Sequence, residues 1–158
     1  YYPALRSTNR LPYFANNANA ALSRKIWENF QFDENLTGLE DMALGKVLVD
    51  HGLCIDYVPN AAVEHIHTET WSQIRNRYER EAVAMQTIDE SLALKFWEAL
   101  YCFTMAIIKD ILIHPRGATR KIFDIIIYRS AQFYGGYYGG KLSRKKVHER
   151  KEMYFYPR

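Results

Sequence analysis

Glu40 and Asp41 stand side by side in the run Thr37-Gly38-Leu39-Glu40-Asp41-Met42-Ala43-Leu44, and His65-Ile66-His67 follows about two dozen residues later. A carboxylate can take a proton from a hydroxyl, and an imidazole can ligate a metal or contact a phosphate. Arg75, Arg77 and Arg80 come next. Guanidinium groups match phosphate oxygens with a two-pronged set of donors. Together these are parts of one half of a group-transfer site. Its usual complement is missing, since neither a Gly-rich phosphate loop nor an Asp-x-Asp metal motif occurs in the 158 residues.

Each feature also has a plainer reading. Thr37-x-x-Glu40 fits a capping box, in which Glu40 reaches back to the Thr37 backbone N–H. Asp41 in the first helical turn would complement the helix dipole. His65 and His67 alternate along an extended segment and so share a face with Val63. A single histidine there would be a surface residue, and two at this spacing fit a metal or phosphate role as well. The three arginines also suit a solvated helix face.

The elements that must position these residues follow from punctuation and periodicity. Pro3, Ser7, Thr8, Asn9 and Pro12 break the start of the chain, and Tyr13-Phe14-Ala15 reads as a short strand. Asn16, Asn17 and Asn19 follow among alanines. Ser23 predicts the cap of a short helix through Glu28, with Ile26 and Trp27 inward. The stripe Leu39, Met42, Leu44, Val47, Leu48 predicts a helix over 38–51, with Gly52 just past its end. Residues 53–58 and 61–67 read as strands around a Pro59-Asn60 turn. Thr70 predicts the cap of a helix reaching about Ile88. Leu92, Phe96, Leu100, Phe103, Ile107 and Ile111 predict a second long helix over 91–113. Pro115-Arg116-Gly117 reads as a turn, a third helix covers about 118–134, and the glycines and tyrosines of 134–140 read as its end.

Composition sets wider bounds. A chain of this length supports a domain with a real core, and 48% apolar residues exclude disorder as its general state. A net charge of +3, with no recognised motif, argues against nucleic acid as partner. The positive charge is local: Lys141, Arg144, Lys145, Lys146, Arg150 and Lys151 fall within eleven residues, a pattern suited to anionic lipid or phosphate or to a solvated tail. Cys54 and Cys102 lack metal spacing and read as reduced thiols, consistent with a cytoplasmic setting. The longest uncharged run in 91–113, Ala99 to Ile108, is far short of the roughly 20 residues needed to cross a bilayer. Two apolar helices, a tyrosine-rich end and a basic stretch fit a hairpin lying on a membrane surface, or one packed on protein. The first residue is Tyr, and the chain reads as a piece of a longer protein.

The order of these features, carried by NANAALSRKIWENFQFDENLTGLEDMALGKVLVDHGLCIDYVPNAAVEHIHTETWSQIRNRYER and covering roughly residues 13–82, resembles the C-terminal half of family-2 inverting glycosyltransferases with the GT-A fold. The resemblance implies an α/β class: the acceptor-side part of a GT-A domain over 1–88, then an α-helical hairpin with a basic tail over 89–158. It implies Asp41 as the base that deprotonates the acceptor hydroxyl and Glu40 as its positioning neighbour. His65, with His67 as substitute, would contact a divalent metal (Mn or Mg), and Arg77 and Arg80 would lie near the donor diphosphate. The substrates implied are a nucleotide-sugar donor and a glycan or lipid-linked acceptor. The implied location is the inner face of the cell membrane, held peripherally. Gln73-Ile74-Arg75-Asn76-Arg77-Tyr78 departs from the Gln-x-x-Arg-Trp of processive relatives, which puts a polymerase in doubt. With the donor-binding half absent, the isolated chain is expected to be inactive. The competing reading is a non-enzymatic membrane-surface or protein-interaction module.

Overall fold

A computed structural model of the chain describes residues 11–64, 66, 68–92, 95–113 and 122–142, together with the backbone of 115–121. Among the described residues there are α-helices and short 3-10 turns but no β-strand. The α/β class expected from the sequence, a GT-A half with strands at 13–15, 53–58 and 61–67, is therefore overturned. Alternating side chains favour an extended chain, but a strand exists only where its N–H and C=O groups pair with a neighbour. Here Tyr13-Phe14 sits in a turn closed by Phe14 N–H donating to Leu11 C=O (3.0 Å). The described parts of 53–67 carry no ladder. They bend at Val58-Pro59-Asn60-Ala61, where Ala61 N–H donates to Val58 C=O (3.1 Å), and Val58, Val63 and Ile66 stay exposed.

The chain divides into two compact units, Tyr1–His67 and Thr68–Arg158. The first holds α1 (Arg24–Asn29) and α2 (Glu40–Asp50). Ser23 precedes α1 as expected but makes no side-chain cap, Ile26 is half-buried and Trp27 is exposed. In α2, Met42, Leu44, Gly45 and Leu48 form the buried face. A Cβ on Gly45 would overlap the Tyr13 carbonyl oxygen, so the helix lies directly on that backbone. Gly52 ends α2 at φ 77°, in the left-handed region. Leu53 N–H donates to Leu48 C=O (3.0 Å) and Gly52 N–H to Val49 C=O (2.9 Å), the paired bonds of a Schellman motif.

The second unit contains α3 (Trp71–Ile88), a 3-10 turn (Glu90–Leu92), α4 (Phe96–Ile113) and α5 (Pro115–Gly139). Thr70 and Gln73 form the capping box of α3, with Thr70 N–H donating to Gln73 Oε1 (2.8 Å) and Gln73 N–H to Thr70 Oγ1 (3.4 Å). Pro115 opens α5 rather than a turn, at the first helical position where its missing N–H is not needed.

α5 is the central element of this unit. On one side it meets α3 through Tyr78 Oη and Tyr128 Oη (3.2 Å) and through Gln86 Nε2, which donates to Gly139 C=O (2.9 Å). On another it meets α4. Arg129 Nε and Nη2 donate to the two Asp110 oxygens (2.8 and 2.9 Å), Phe103 packs on Phe133, and Phe96 packs on Tyr137. The pairings run in opposite chain directions for α4 and α5 and in the same direction for α3 and α5, giving an up-down-up arrangement. Val83, Leu142 and Tyr138 pack together at the far end of α3.

Of the glycines expected to end α5 after Tyr134, Gly135, Gly136 and Gly139 instead lie within it. A Cβ on Gly135 would overlap the Arg75 carbonyl oxygen, and one on Gly139 the Glu79 carbonyl oxygen. Four residues apart, the two lie on one face and let α5 settle onto the α3 backbone. Gly136 faces open space. Gly135→Ala and Gly139→Ala are expected to destabilise the chain by about 1–3 kcal/mol each through overpacking. Gly136→Ala is expected to stabilise it by about 0.5–1 kcal/mol through helix propensity. Urea denaturation of the three variants separates a packing role from a helix-ending role, since helix-ending glycines would all lose stability alike.

Candidate functional site

Asp41 owes its position to an unusual entry into α2. Leu39, the residue before the helix, holds φ 58° and ψ 27°, and it is the one non-glycine with positive φ among the described residues. A side chain in that region costs on the order of 1 kcal/mol. The kink is followed at once by helical pairing, with Ala43 N–H donating to Leu39 C=O (2.9 Å). The Thr37–Glu40 capping box is not formed: Leu39 is the cap residue, and Thr37 Oγ1 is buried without a hydrogen bond. Glu40 is exposed and Asp41 is half-buried.

Both oxygens of Asp41 are held by backbone donors. Asn17 N–H donates to Oδ2 (2.8 Å) and Met42 N–H to Oδ1 (2.8 Å). Asn17 opens a 3-10 turn over Asn17–Asn19, which Asn16 caps by accepting from Ala18 N–H (2.9 Å). At the other end of the turn, Asn19 Nδ2 donates to Ala61 C=O. One asparagine-rich turn thus ties the start of α2 to the extended segment that leads toward His65. A carboxylate has about four lone-pair sites, so two backbone donors fix its direction and leave acceptor capacity for a hydroxyl. Sequence reasoning did not assign Asn17 or Asn19. The signal was the Asn-Asn-Ala-Asn cluster itself, because asparagine favours turns that bond their own backbone.

The first unit also carries an open cleft of about 360 Å³ lined by Leu22, Arg24, Trp27 and Phe32. Its lining is almost wholly apolar, and the Arg24 guanidinium is engaged by Glu28, with Nε donating to Oε1 (2.9 Å).

Arg77 and Arg80 belong to the second unit, on α3. Arg77 Nε donates to both Glu69 oxygens (3.0 and 3.1 Å), Nη2 lies 3.0 Å from Glu69 Oε2, and Nη1 lies 3.6 Å from Glu81 Oε1. Burial opposes the Arg77 charge, but the hydrogen bonds to Glu69 and the charges of Tyr78, Glu81 and Glu69 outweigh it and hold the guanidinium above its ordinary value. The same half-buried setting pushes the Glu81 carboxyl up, with desolvation prevailing over Arg77 and Arg80. Burial and the bond to Tyr128 push the Tyr78 phenol up as well. A diphosphate at Arg77 would have to exchange with a carboxylate already in place.

His65 and His67 lie outside the described residues. Among the described residues no three His, Cys, Asp or Glu side chains converge as a metal site. No protein-family model, curated protein or solved structure matches the chain.

The Glu81 environment has a defined pH signature. Its folded pKa is raised, so its contribution to stability is full below the unfolded value, near pH 4.3 or about that, and is lost as pH rises through the folded value. Glu81→Gln keeps the shape and removes the charge. It is expected to raise the melting temperature at neutral pH, with the gain shrinking to nothing as pH falls below the ordinary carboxylate range. Thermal unfolding across that range is the measurement. A loss of stability at neutral pH would mean that the Arg77 pairing outweighs the burial.

Proposed function

We propose that the chain carries the acceptor side of an inverting glycosyltransferase, with Asp41 as general base and with donor-binding parts supplied by sequence beyond these 158 residues. The observation that carries this reading is the anchoring of Asp41. Its carboxylate is fixed by the Asn17 and Met42 N–H groups at the start of α2 and keeps acceptor capacity. The ordered sequence resemblance over residues 13–82 supports it. In the rival reading Glu40 and Asp41 only serve the start of α2: the Thr37–Glu40 capping box is not made, while Asp41 accepts from Met42 N–H in the first turn as a structural acid also would.

In the proposed reaction an acceptor hydroxyl oxygen attacks the anomeric carbon of a nucleotide-sugar. The new C–O bond forms on the face opposite the leaving group, the bond to the diphosphate breaks, and the diphosphate leaves with the electron pair. The hydroxyl proton passes to Asp41, which makes the oxygen nucleophilic as the bond forms. Glu40, exposed one residue earlier, is assigned to the acceptor's other hydroxyls, and His65 and His67 to a divalent cation. The acceptor class is a glycan or a lipid-linked sugar.

In an active enzyme containing this chain, Asp41→Asn is expected to lower kcat by roughly 10²–10⁴-fold with donor binding close to normal, and to lower the melting temperature because the asparagine NH2 group cannot accept from Met42 N–H. Asparagine keeps one acceptor oxygen for the Asn17 N–H but cannot take the proton. Glu40→Gln is expected to cost less. Turnover assays with donor-binding titrations check both, and near-normal turnover in Asp41→Asn would remove the base assignment.

A further inference from the structure

Among the described residues the outer face of α4 is apolar and exposed. Ala99, Phe103 and Asp110 lie on the inner side, where Phe103 and Asp110 meet α5. The opposite side carries Trp97, Leu100, Tyr101, Met105, Ile108 and Leu112, all exposed, with Trp97 at 75% and Leu112 at 72%. At 100° per residue these six span about 140° of the helix and recur over four turns with no charge among them. Glu98 and Lys109 sit together on one flank, and Asp110 is turned inward to Arg129.

The two ends of this face differ. Its start is aromatic: Phe96 packs on Trp97 (5.1 Å between ring centres) and on Tyr137 (5.9 Å), and Lys141 Nζ lies 5.5 Å over the Tyr137 ring. Lys141 therefore stands beside the aromatic end of α4. The sequence from Lys141 to Lys151 carries six basic residues against one acid. Aromatic rings with adjoining cations are the chemistry of a lipid headgroup layer. Among the described residues no helix is long and apolar enough to cross a membrane, so such a face would lie flat, with its flank charges reaching toward water.

We propose that the outer face of α4 seats on an anionic lipid bilayer, with the Phe96–Trp97–Tyr137–Lys141 end at headgroup level. The concentrated positive charge selects this occupant over a second copy of the chain, since it draws anionic phosphates and repels its own kind. The seat shares no residue with the Asp41 site and stands whether or not the catalytic reading holds.

The test uses the 158-residue chain and vesicles of phosphatidylcholine with and without phosphatidylglycerol. Co-sedimentation is expected only with the anionic vesicles and is expected to weaken with salt. Trp97→Ser and Leu112→Ser, both at exposed positions, are each expected to lower partitioning about tenfold, the worth of one large apolar side chain leaving water. Lys141→Gln is expected to lower it about fivefold at low salt. In a Trp27→Phe/Trp71→Phe background, Trp97 fluorescence is expected to shift to the blue and to be quenched by brominated lipid. Absence of binding to anionic vesicles at low salt overturns the proposal. So does equal binding to both vesicle types, or binding that Trp97→Ser and Leu112→Ser leave unchanged. A dimer in solution that Trp97→Ser abolishes assigns the face to a second copy instead.

Discussion

The second unit is organised by how closely two backbones come together. α5 rests on α3 at Gly135 and Gly139, where any side chain would collide with the carbonyls of Arg75 and Glu79. Everything else in the unit takes its place from that contact. Tyr78 can reach Tyr128, Gln86 can cap Gly139, and Val83 can close over Leu142 because the helix axes are already near one another. With α3 covering one side of α5, α4 has a different side left to occupy. It is held there by one guanidinium–carboxylate fork and edge-on aromatic pairs. Among the described residues the result is three helices in which α5 has a helix along each of two flanks, and α4 keeps a face that none of them covers.

The first unit depends on a different kind of economy. It has two helices, one of them only six residues long, and long stretches without regular pairing. Order comes from local polar bonds in place of a sheet. The Schellman motif at Gly52 stops α2, the Leu39 kink starts it, and the asparagine turn clamps Asp41 at one end and Ala61 at the other. Asp41 is therefore positioned by backbone donors, whose directions are set by turns that asparagine and one strained leucine make possible.

How much of this could be read beforehand follows from the range of each interaction. The Thr70–Gln73 cap spans three residues, and Gly52 acts on the turn just before it, so both were legible. The helical periodicity of α2, α3 and α4 was legible for the same reason, but the covered face was not: Val47, Phe96 and Leu100, all members of the expected stripes, are exposed, and Leu92 lies in a 3-10 turn before α4. The strands were misread because alternation gives only an extended chain, and pairing needs a partner that local sequence does not name. The end of α5 was misread because glycine both ends helices and lets helices touch. Only the Arg75 and Glu79 carbonyls across the interface decide between the two. Asp41 was singled out from its type and place, but its bond to Asn17, twenty-four residues away, left no trace in spacing. Arg77 was read as a solvated or phosphate-facing cation, whereas Glu69 and Glu81 hold it in a half-buried cluster.

The central place of α5 also bears on how the chain comes to be folded. The contacts that join α3 to α5 link residues 50 and 53 positions apart, whereas the Arg129–Asp110 fork links residues 19 apart. Closing the shorter loop costs less chain entropy, so the α4–α5 hairpin is the easier piece to assemble. α3 precedes α5 in the chain, so Val83 must wait for Tyr138 and Leu142 before it loses contact with water. For that interval the inner face of α3 stays open to water, so the order of assembly within the unit is the reverse of the order of synthesis.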